Sequence, residues 1–350
     1  MTRPTAQSAK VALFSGLLFF VGVQLALNVF IERRHPEFYD FEYSARLRRV
    51  RDRQAESPSR PLLGVMGSSR TEMGFRPEEV TNLSTSTAGS PLPFNLGHIG
   101  GGAIEELMLY KRYRRDGVRP AWLVLEIMPL FLSGNVSTFA TEFMTARDMP
   151  VLYRHIEPHK LYPRFAWPRL VPLHQNRLEI MRRIVPDGAL APQQDLEAIP
   201  LGPLGGDQGW FVKDSVAPEE YRRRLEGTRS YALFKLGRYA VNQRATHAYD
   251  ELLTECRRDG IPVLLVLMPE GEQLRSLYPP EAMARLDAWC GDLSRRHDVP
   301  IVDARRWLPE EDFMDSSHVL RRGATVFTRR FSEEALLPFV EGRLRGAGIH

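Results

Sequence analysis

Leu63-Gly64-Val65-Met66-Gly67-Ser68-Ser69-Arg70 decides how this chain folds, because an apolar run stops there in a Gly-Ser-Ser turn. A short, continuous apolar run is typical of a strand that is buried on both faces. Two later runs follow the same plan and end at Met-Pro, at 122–127 and 261–267. Helical patterns at 103–115 and 245–258 separate the runs, and a glycine closes each pattern.

Strands that alternate with helices predict an α/β fold, a three-layer α/β/α arrangement around a mainly parallel sheet. A further helix at 280–296, a strand at 300–303 and a closing helix at 327–345 continue this pattern. Ligands of such sheets gather at the carboxyl ends of the strands, where the Gly-Ser-Ser and Met-Pro turns lie. A late loop that contains Asp315 and His318 belongs to the same end.

The amino-terminal stretch 11–31 is almost wholly apolar and has the ~20 residues that a helix needs to cross a bilayer. Because no small-x-small cleavage site closes it, we expect an uncleaved anchor over residues 1–31. Residues 32–60 predict a juxtamembrane helix or linker, and 61–350 the main domain. Within that domain, 132–240 lacks regular alternation and predicts a mostly helical insertion, with pieces near 142–156, 174–185 and 217–240.

Composition excludes several classes of protein. The net charge of +4 is spread along the chain, so we expect no nucleic-acid partner. The densest basic cluster, 46–53, suits a solvated helix face or contact with phospholipid headgroups. Cys256 and Cys290 lack a CxxC partner and are either buried thiols or a pair. His155 and His159 have no third ligand nearby, so neither a metal nor a cofactor is expected.

Ser69, His318 and Asp315 are the candidate catalytic residues. A serine hydroxyl needs a base within hydrogen-bond reach to act as a nucleophile at neutral pH. Asp315 precedes His318 by three residues, so its carboxylate can hold one ring nitrogen while the other takes the serine proton. Taken separately, a plain turn, a helix-capping aspartate and a surface histidine would explain the same residues.

Backbone N–H groups of Ser69 and Gly97 are the candidates for an oxyanion hole, because both residues lie in turns next to a predicted helix. The Gly97 turn suits a tight connection equally well. Possible substrate-binding residues are those polar side chains that lie in or beside the same turns: Arg70, Asn95, His98 and Glu126. Glu126 could instead pair with an arginine. Arg70 could bind a carboxylate or orient the loop, but an ordinary salt bridge is favoured for it.

These segments together resemble the SGNH (GDSL-like) hydrolase superfamily, whose flavodoxin-like fold carries a serine turn, a glycine turn, an asparagine turn and a late Asp-x-x-His. The first block is similar to Gly67-Ser68-Ser69, the second to Gly97, and the last to Asp315-Ser316-Ser317-His318. The family's nucleophile is third in its block, which points to Ser69. The third block departs from the pattern, because Glu126-Ile127-Met128-Pro129 replaces the turn that carries the oxyanion-hole asparagine.

This departure and the anchor resemble a membrane-bound branch that includes the teichoic-acid D-alanyl transfer protein and the alginate O-acetylation proteins. The resemblance implies a serine esterase or O-acyltransferase that acts on a cell-envelope polysaccharide or related ester. It also implies a single-pass protein of the bacterial inner (cytoplasmic) membrane with its domain outside. The implied partner is a multi-spanning membrane acyltransferase.

Two alternatives remain open. The altered third block suits a catalytically inactive scaffold or glycan-binding accessory of a membrane acyltransferase. The charges around the anchor favour the opposite orientation, because Arg33, Arg34 and the 46–53 cluster outnumber Arg3 and Lys10. By charge alone, the domain would be cytoplasmic.

Overall fold

A computed structural model of the chain describes residues 6–34, 39–80, 89–133, 141, 143–172, 213–237, 239–346 and 348–350. The chain divides into two compact units. The first consists of Met1–Ser44 and Thr141–Pro200, and the second of Ala45–Ala140 and Leu201–His350. The predicted insertion is therefore divided between the units, and its predicted helix near 174–185 lies outside the described residues.

The second unit contains one all-parallel sheet of six strands, which confirms the predicted α/β class. The strands in chain order are Leu62–Met66 (β1), Leu92–Asn95 (β2), Trp122–Glu126 (β3), Val263–Leu267 (β4), Pro300–Asp303 (β5) and Gly348–Ile349 (β6). Their order in the sheet is β2-β1-β3-β4-β5-β6. The order reverses between β1 and β3, and such a switch point is where doubly wound sheets bind ligands.

The helices also follow the predicted alternation. In chain order they are Ala6–Arg34 (α1), Phe41–Glu56 (α2), Ser69–Gly74 (α3), Ala103–Arg115 (α4), Met149–His155 (α5), Pro158–Leu170 (α6), Pro218–Leu236 (α7), Gln243–Arg258 (α8), Glu272–Arg275 (α9), Pro280–His297 (α10), Arg321–Phe331 (α11) and Leu337–Val340 (α12). The predicted closing helix was misplaced at both ends. It begins at Arg321, passes through a π-helical turn at Ser332–Leu336, and ends before Gly342, whose φ of 70° leaves the helical region.

Apolar side chains on one face of the sheet form the main core. Val65 of β1 is in register with Val124 of β3, which is in register with Leu264 of β4. All three are buried in one cluster with Phe327 and Phe331 of α11. Because parallel strands lose both faces to packing, their side chains are mostly apolar, which made β1, β3 and β4 recognisable in the sequence.

In the first unit, α1 is long and apolar enough to span a membrane. Most of its large apolar side chains are exposed, as expected for a helix that contacts lipid. Its last turns pack against α6. This unit also contains α5. Its described residues include no strand, and all six strands of the sheet lie in the second unit.

Candidate active site

The Gly-Ser-Ser turn lies where β1 gives way to α3. Ser68 is the N-cap of α3, and its Oγ accepts a hydrogen bond from the Arg70 N–H at 3.1 Å. Serine is a favoured N-cap because its oxygen satisfies a helical N–H that has no partner within the helix. Ser69 is then the first helical residue and is half-buried, while Ser68 is fully buried.

The structure brings the three predicted catalytic side chains together across 249 residues of sequence. Ser69 Oγ lies 2.9 Å from His318 Nε2. His318 Nδ1 lies 2.7 Å from Asp315 Oδ2. Each distance is that of a hydrogen bond, and the imidazole stands between the hydroxyl and the carboxylate. The order hydroxyl, imidazole, carboxylate is that of a Ser-His-Asp triad.

Hydrogen bonds from backbone N–H groups to side-chain oxygens hold the loop that carries Asp315 and His318. Asp315 Oδ1 accepts hydrogen bonds from the N–H groups of Ser317 and His318, at 2.9 and 2.6 Å. Ser316 adopts a φ of 67°, a strained conformation for a serine. Its Oγ accepts a hydrogen bond from the Leu274 N–H at 2.9 Å, which ties the strained residue to α9. The loop therefore presents the imidazole in one orientation.

The pKa values of this pair move in opposite directions. Burial acts to lower the pKa of His318, but the charge and hydrogen bond of Asp315 outweigh it and raise the pKa. Burial acts to raise the pKa of Asp315, but the charge and hydrogen bonds of His318 hold it below its usual range. Both directions stabilise an imidazolium against a carboxylate, as a general base requires after it has taken a proton.

Glu126 lies at the end of β3 and holds the serine turn from below. Its Oε2 accepts three hydrogen bonds, from Ser68 N at 2.8 Å, Ser68 Oγ at 2.9 Å and Thr71 Oγ1 at 2.7 Å. A side chain at Gly67 would collide with the same oxygen, since an added Cβ would lie 2.5 Å away. Glu126 is fully buried and supports the turn, and its role in substrate binding stays a prediction.

Arg70 is likewise buried and bound to protein. Its guanidinium donates to the carbonyl oxygens of Met268 and Pro269 at 2.9 and 2.7 Å and pairs with Glu270 at 3.2 Å. Its Nε lies 3.9 Å from Glu126 Oε1, and neither atom has a hydrogen-bond partner in the described chain. Arg70 joins the ends of β1 and β4 through a salt bridge, as the salt-bridge interpretation predicts, and its role in substrate binding stays a prediction.

Asn95 and His98 are buried as well, and their roles in substrate binding stay predictions. The Asn95 amide nitrogen donates to three carbonyl oxygens at the end of α3, the shortest being Phe75 O at 2.7 Å. Asn95 Oδ1 accepts the Gly97 N–H at 2.9 Å. The oxyanion role of Gly97 stays a prediction, and it requires that this hydrogen bond be shared or released.

The remaining candidates lie outside the triad. His155 is buried on α5 and His159 is exposed on α6. No group of three or more His, Cys, Asp or Glu side chains in the described ranges could hold a metal ion. Cys256 and Cys290 are free and buried, and burial raises the pKa of each thiol to about 12.

A cavity of about 670 Å³ lies at the opposite end of the sheet from Ser69. Trp122, Val263 and Pro300 line it, and each is the first residue of its strand. The amino ends of parallel strands are not where such sheets place their ligands. The cavity therefore does not belong to the triad.

Sequence reasoning missed the residues that support the site. Ser68 could have been found, because a serine just before a predicted helix is a typical N-cap. Thr71, Ser316 and Glu270 carry no sequence signal of their own, since their roles depend on contacts between distant segments. No protein-family model matches this chain, and no curated protein matches it.

Proposed function

We propose that this protein is a membrane-anchored serine esterase or O-acyltransferase. The observation that carries the proposal is the contact of 2.9 Å between Ser69 Oγ and His318 Nε2. A base within 3–4 Å of the serine favours an enzyme over a scaffold. His318 is a quarter exposed at its side chain, so a substrate can reach the catalytic pair.

In the proposed reaction, Ser69 Oγ attacks the acyl carbonyl carbon while its proton passes to His318 Nε2. The N–H groups of Ser69 and Gly97 donate to the developing oxyanion. The tetrahedral intermediate collapses, the acyl–oxygen bond breaks, and His318 returns the proton to the leaving alkoxide. A polysaccharide hydroxyl or water then attacks the Ser69 ester, and its proton returns through His318 to Ser69 Oγ.

Membership of the SGNH superfamily, with its three-layer α/β/α arrangement, is part of the proposal. It is supported by the parallel sheet, by the serine turn after β1 and by Asp315-x-x-His318 before α11. The proposed location is the bacterial inner membrane, with the domain outside the cytoplasm. The proposed substrate is an acylated envelope polysaccharide or related ester, and the proposed partner is a multi-spanning acyltransferase.

Labelling with a fluorophosphonate probe tests the nucleophile. The full-length protein should form a covalent adduct that peptide mass spectrometry locates on Ser69, and Ser69→Ala should abolish it. Ser276→Ala is a matched control, because Ser276 is exposed to solvent and its Oγ donates a hydrogen bond to the Gln273 carbonyl of the same helical turn. Undiminished labelling of Ser69→Ala would exclude Ser69 as the nucleophile.

A catalytically inactive scaffold or glycan-binding accessory is the second candidate, and the third block favours it. Glu126 offers a buried hydrogen-bond acceptor where an oxyanion hole needs a donor. The Gly97 N–H is also engaged with Asn95. Incubation with an activated acetyl ester separates the candidates, since an enzyme accumulates or turns over an acetyl group on Ser69 and a scaffold acquires none.

A further inference from the structure

The helix α6 is unusually exposed for a helix that is rich in aromatic and aliphatic residues. Among its residues only Leu161 is buried. Trp167 is 77% exposed, Leu170 57% and Tyr162 51%. Soluble domains bury such side chains, and an exposed apolar surface that includes tryptophan and tyrosine marks an interaction site.

The position of α6 on α1 indicates what covers these side chains. Asn28 Nδ2 of α1 donates to the Arg169 carbonyl at 2.6 Å, and Arg169 pairs with Glu32 at 3.0 Å. Asn28 lies three residues before Ile31, the last residue of the apolar stretch, which is about 4.5 Å along a helix axis. The carboxyl end of α6 is therefore level with the end of the apolar segment.

The packing of the last turns of α1 is consistent with this position of α6 beside the end of the apolar segment. Gln24, Asn28 and Ile31 recur at helical spacing and are shielded from solvent, while Val29 and Phe30 of the same turns are exposed. One face of α1 thus contacts protein and the other remains open to lipid. A helix held against such a segment at its polar end lies at the depth of the lipid headgroups.

The charges around α6 leave a small positive excess for the same surface. The helix contains Lys160, Arg164 and Arg169 and no acidic residue. Lys160 pairs with Glu157 and Arg169 with Glu32, whereas Arg164 has no acidic partner among the described residues. Basic side chains are attracted to anionic headgroups, and Trp and Tyr prefer the boundary between headgroups and acyl chains.

We propose that α6 is an interfacial helix that inserts Tyr162, Trp167 and Leu170 into the bilayer next to α1. Its apolar side chains lie roughly 5–10 Å into the boundary of headgroups and acyl chains. The proposal rests on the membrane span of α1, which belongs to the proposed function, and is independent of the chemistry of Ser69. The helix fixes the first unit against the membrane surface at a second point.

Quenching of tryptophan fluorescence by brominated phospholipids tests this proposal. The full-length protein and Trp167→Phe are reconstituted in lipid nanodiscs with bromine at a shallow or a deep acyl position. The emission of the wild-type protein minus that of Trp167→Phe is the signal of Trp167. We expect strong quenching of this signal by shallow bromines and weaker quenching by deep ones. Trp307→Phe is the control, because Trp307 packs on Phe327 in the other unit and its signal should be unaffected.

A second variant separates failure of this proposal from failure of the anchor. Phe19→Trp in the Trp167→Phe background reports on the middle of α1, where Phe19 is exposed. If deep bromines quench the signal of residue 19 while neither bromine quenches Trp167, the proposal that α6 inserts into the bilayer is overturned. That result would indicate that a protein partner covers α6. No quenching at either position would overturn the anchor as well. Fluorophosphonate labelling of Trp167→Phe should equal that of the wild type.

Discussion

Glu126 decides whether the serine turn holds its shape. Three donors converge on one of its oxygens, and the whole arrangement is buried. A buried donor that loses its acceptor costs the full free energy of desolvation, whereas a satisfied one contributes little net. The glutamate therefore stabilises the position of Ser69 without touching a substrate, which makes it a positioning residue.

Glu126→Ala should lower the free energy of unfolding by about 3 kcal/mol, because it leaves three buried donors without their acceptor and Arg70 without this neighbouring negative charge. Glu126→Gln should lower the free energy of unfolding by less. The amide oxygen of the glutamine can accept hydrogen bonds from the same donors while its NH₂ group faces Arg70. Denaturant unfolding measures the first effect, and the rate of fluorophosphonate labelling of the folded fraction measures the positioning of Ser69. Glu272→Ala, at an exposed glutamate, is the control. Equal stability of Glu126→Ala and the control would contradict the role.

Asp315 sets the pH at which His318 can act. Because its charge raises the pKa of His318, the neutral imidazole that serves as base predominates only above the usual histidine value of about 6.5. The rate of fluorophosphonate labelling should therefore rise with pH through a midpoint above that value. Asp315→Asn should move the midpoint down and lower the plateau by roughly 10⁴-fold. Asp214→Asn, at an exposed aspartate, should change neither. An unchanged midpoint in Asp315→Asn would contradict the coupling.

The triad was predictable from sequence, and its supports were not. Asp315 and His318 are three residues apart in one loop, so local spacing alone places them together. Arg70 and Asn95 lie in or beside the predicted site turns, which made both of them candidates for contact with a substrate. Their partners are mostly backbone carbonyls of other segments, and nothing in a sequence indicates such acceptors.

At the level of elements, glycine allows β2 and α3 to approach each other closely. A Cβ added at Gly97 would lie 2.5 Å from the Glu72 nitrogen and 2.9 Å from its Cα. Both atoms belong to the backbone of α3, so the neighbour cannot give way as a flexible side chain would. The Gly97 turn thus seats the helix that begins with Ser69.

Gly97→Ala should destabilise the protein by about 1–3 kcal/mol, as overpacking of a rigid contact does. It should also slow fluorophosphonate labelling, because the strain falls on α3. Gly227→Ala is the matched control, since Gly227 lies inside α7 with no atom within 4 Å of an added Cβ. That substitution should stabilise by up to about 1 kcal/mol. Thermal unfolding measures both, and a neutral Gly97→Ala would show that α3 can shift.

Elements with a clear apolar pattern were predicted well, and those without one were not. The bounds of α4 and β5 agree with the predicted ones, because continuous apolar strands and periodic helices carry strong signals. Neither β2 nor β6 was predicted. Pro93 and Asn95 interrupt the apolar pattern of β2, and β6 has only two residues, so pairing with β1 and β5 is what makes them strands.

For the whole molecule, the basic residues that follow α1 and the proposed location favour opposite orientations. Arg46 of the basic cluster is fully buried and paired with Glu72 at 2.7 Å. Arg53 of the same cluster pairs with Glu56 at 2.7 Å. These charges belong to α2, which begins at Phe41, shortly after α1 ends at Arg34. Basic residues this close to a membrane span bear on its orientation whatever contacts they make after folding, so the orientation needs a direct test.

The proposed location predicts that a reporter fused after His350 lies outside the cytoplasm. Alkaline phosphatase is active only where its disulfides form, so the fusion should be active, and a fusion to a fluorescent protein that folds only in the cytoplasm should be dark. Adding lysines before Lys10 should leave both results unchanged, because it strengthens the same orientation. Deleting 6–34 should abolish the phosphatase activity, which ties export to α1. An inactive phosphatase with a bright fluorescent fusion would place the triad in the cytoplasm, and an envelope polysaccharide could then not be its substrate.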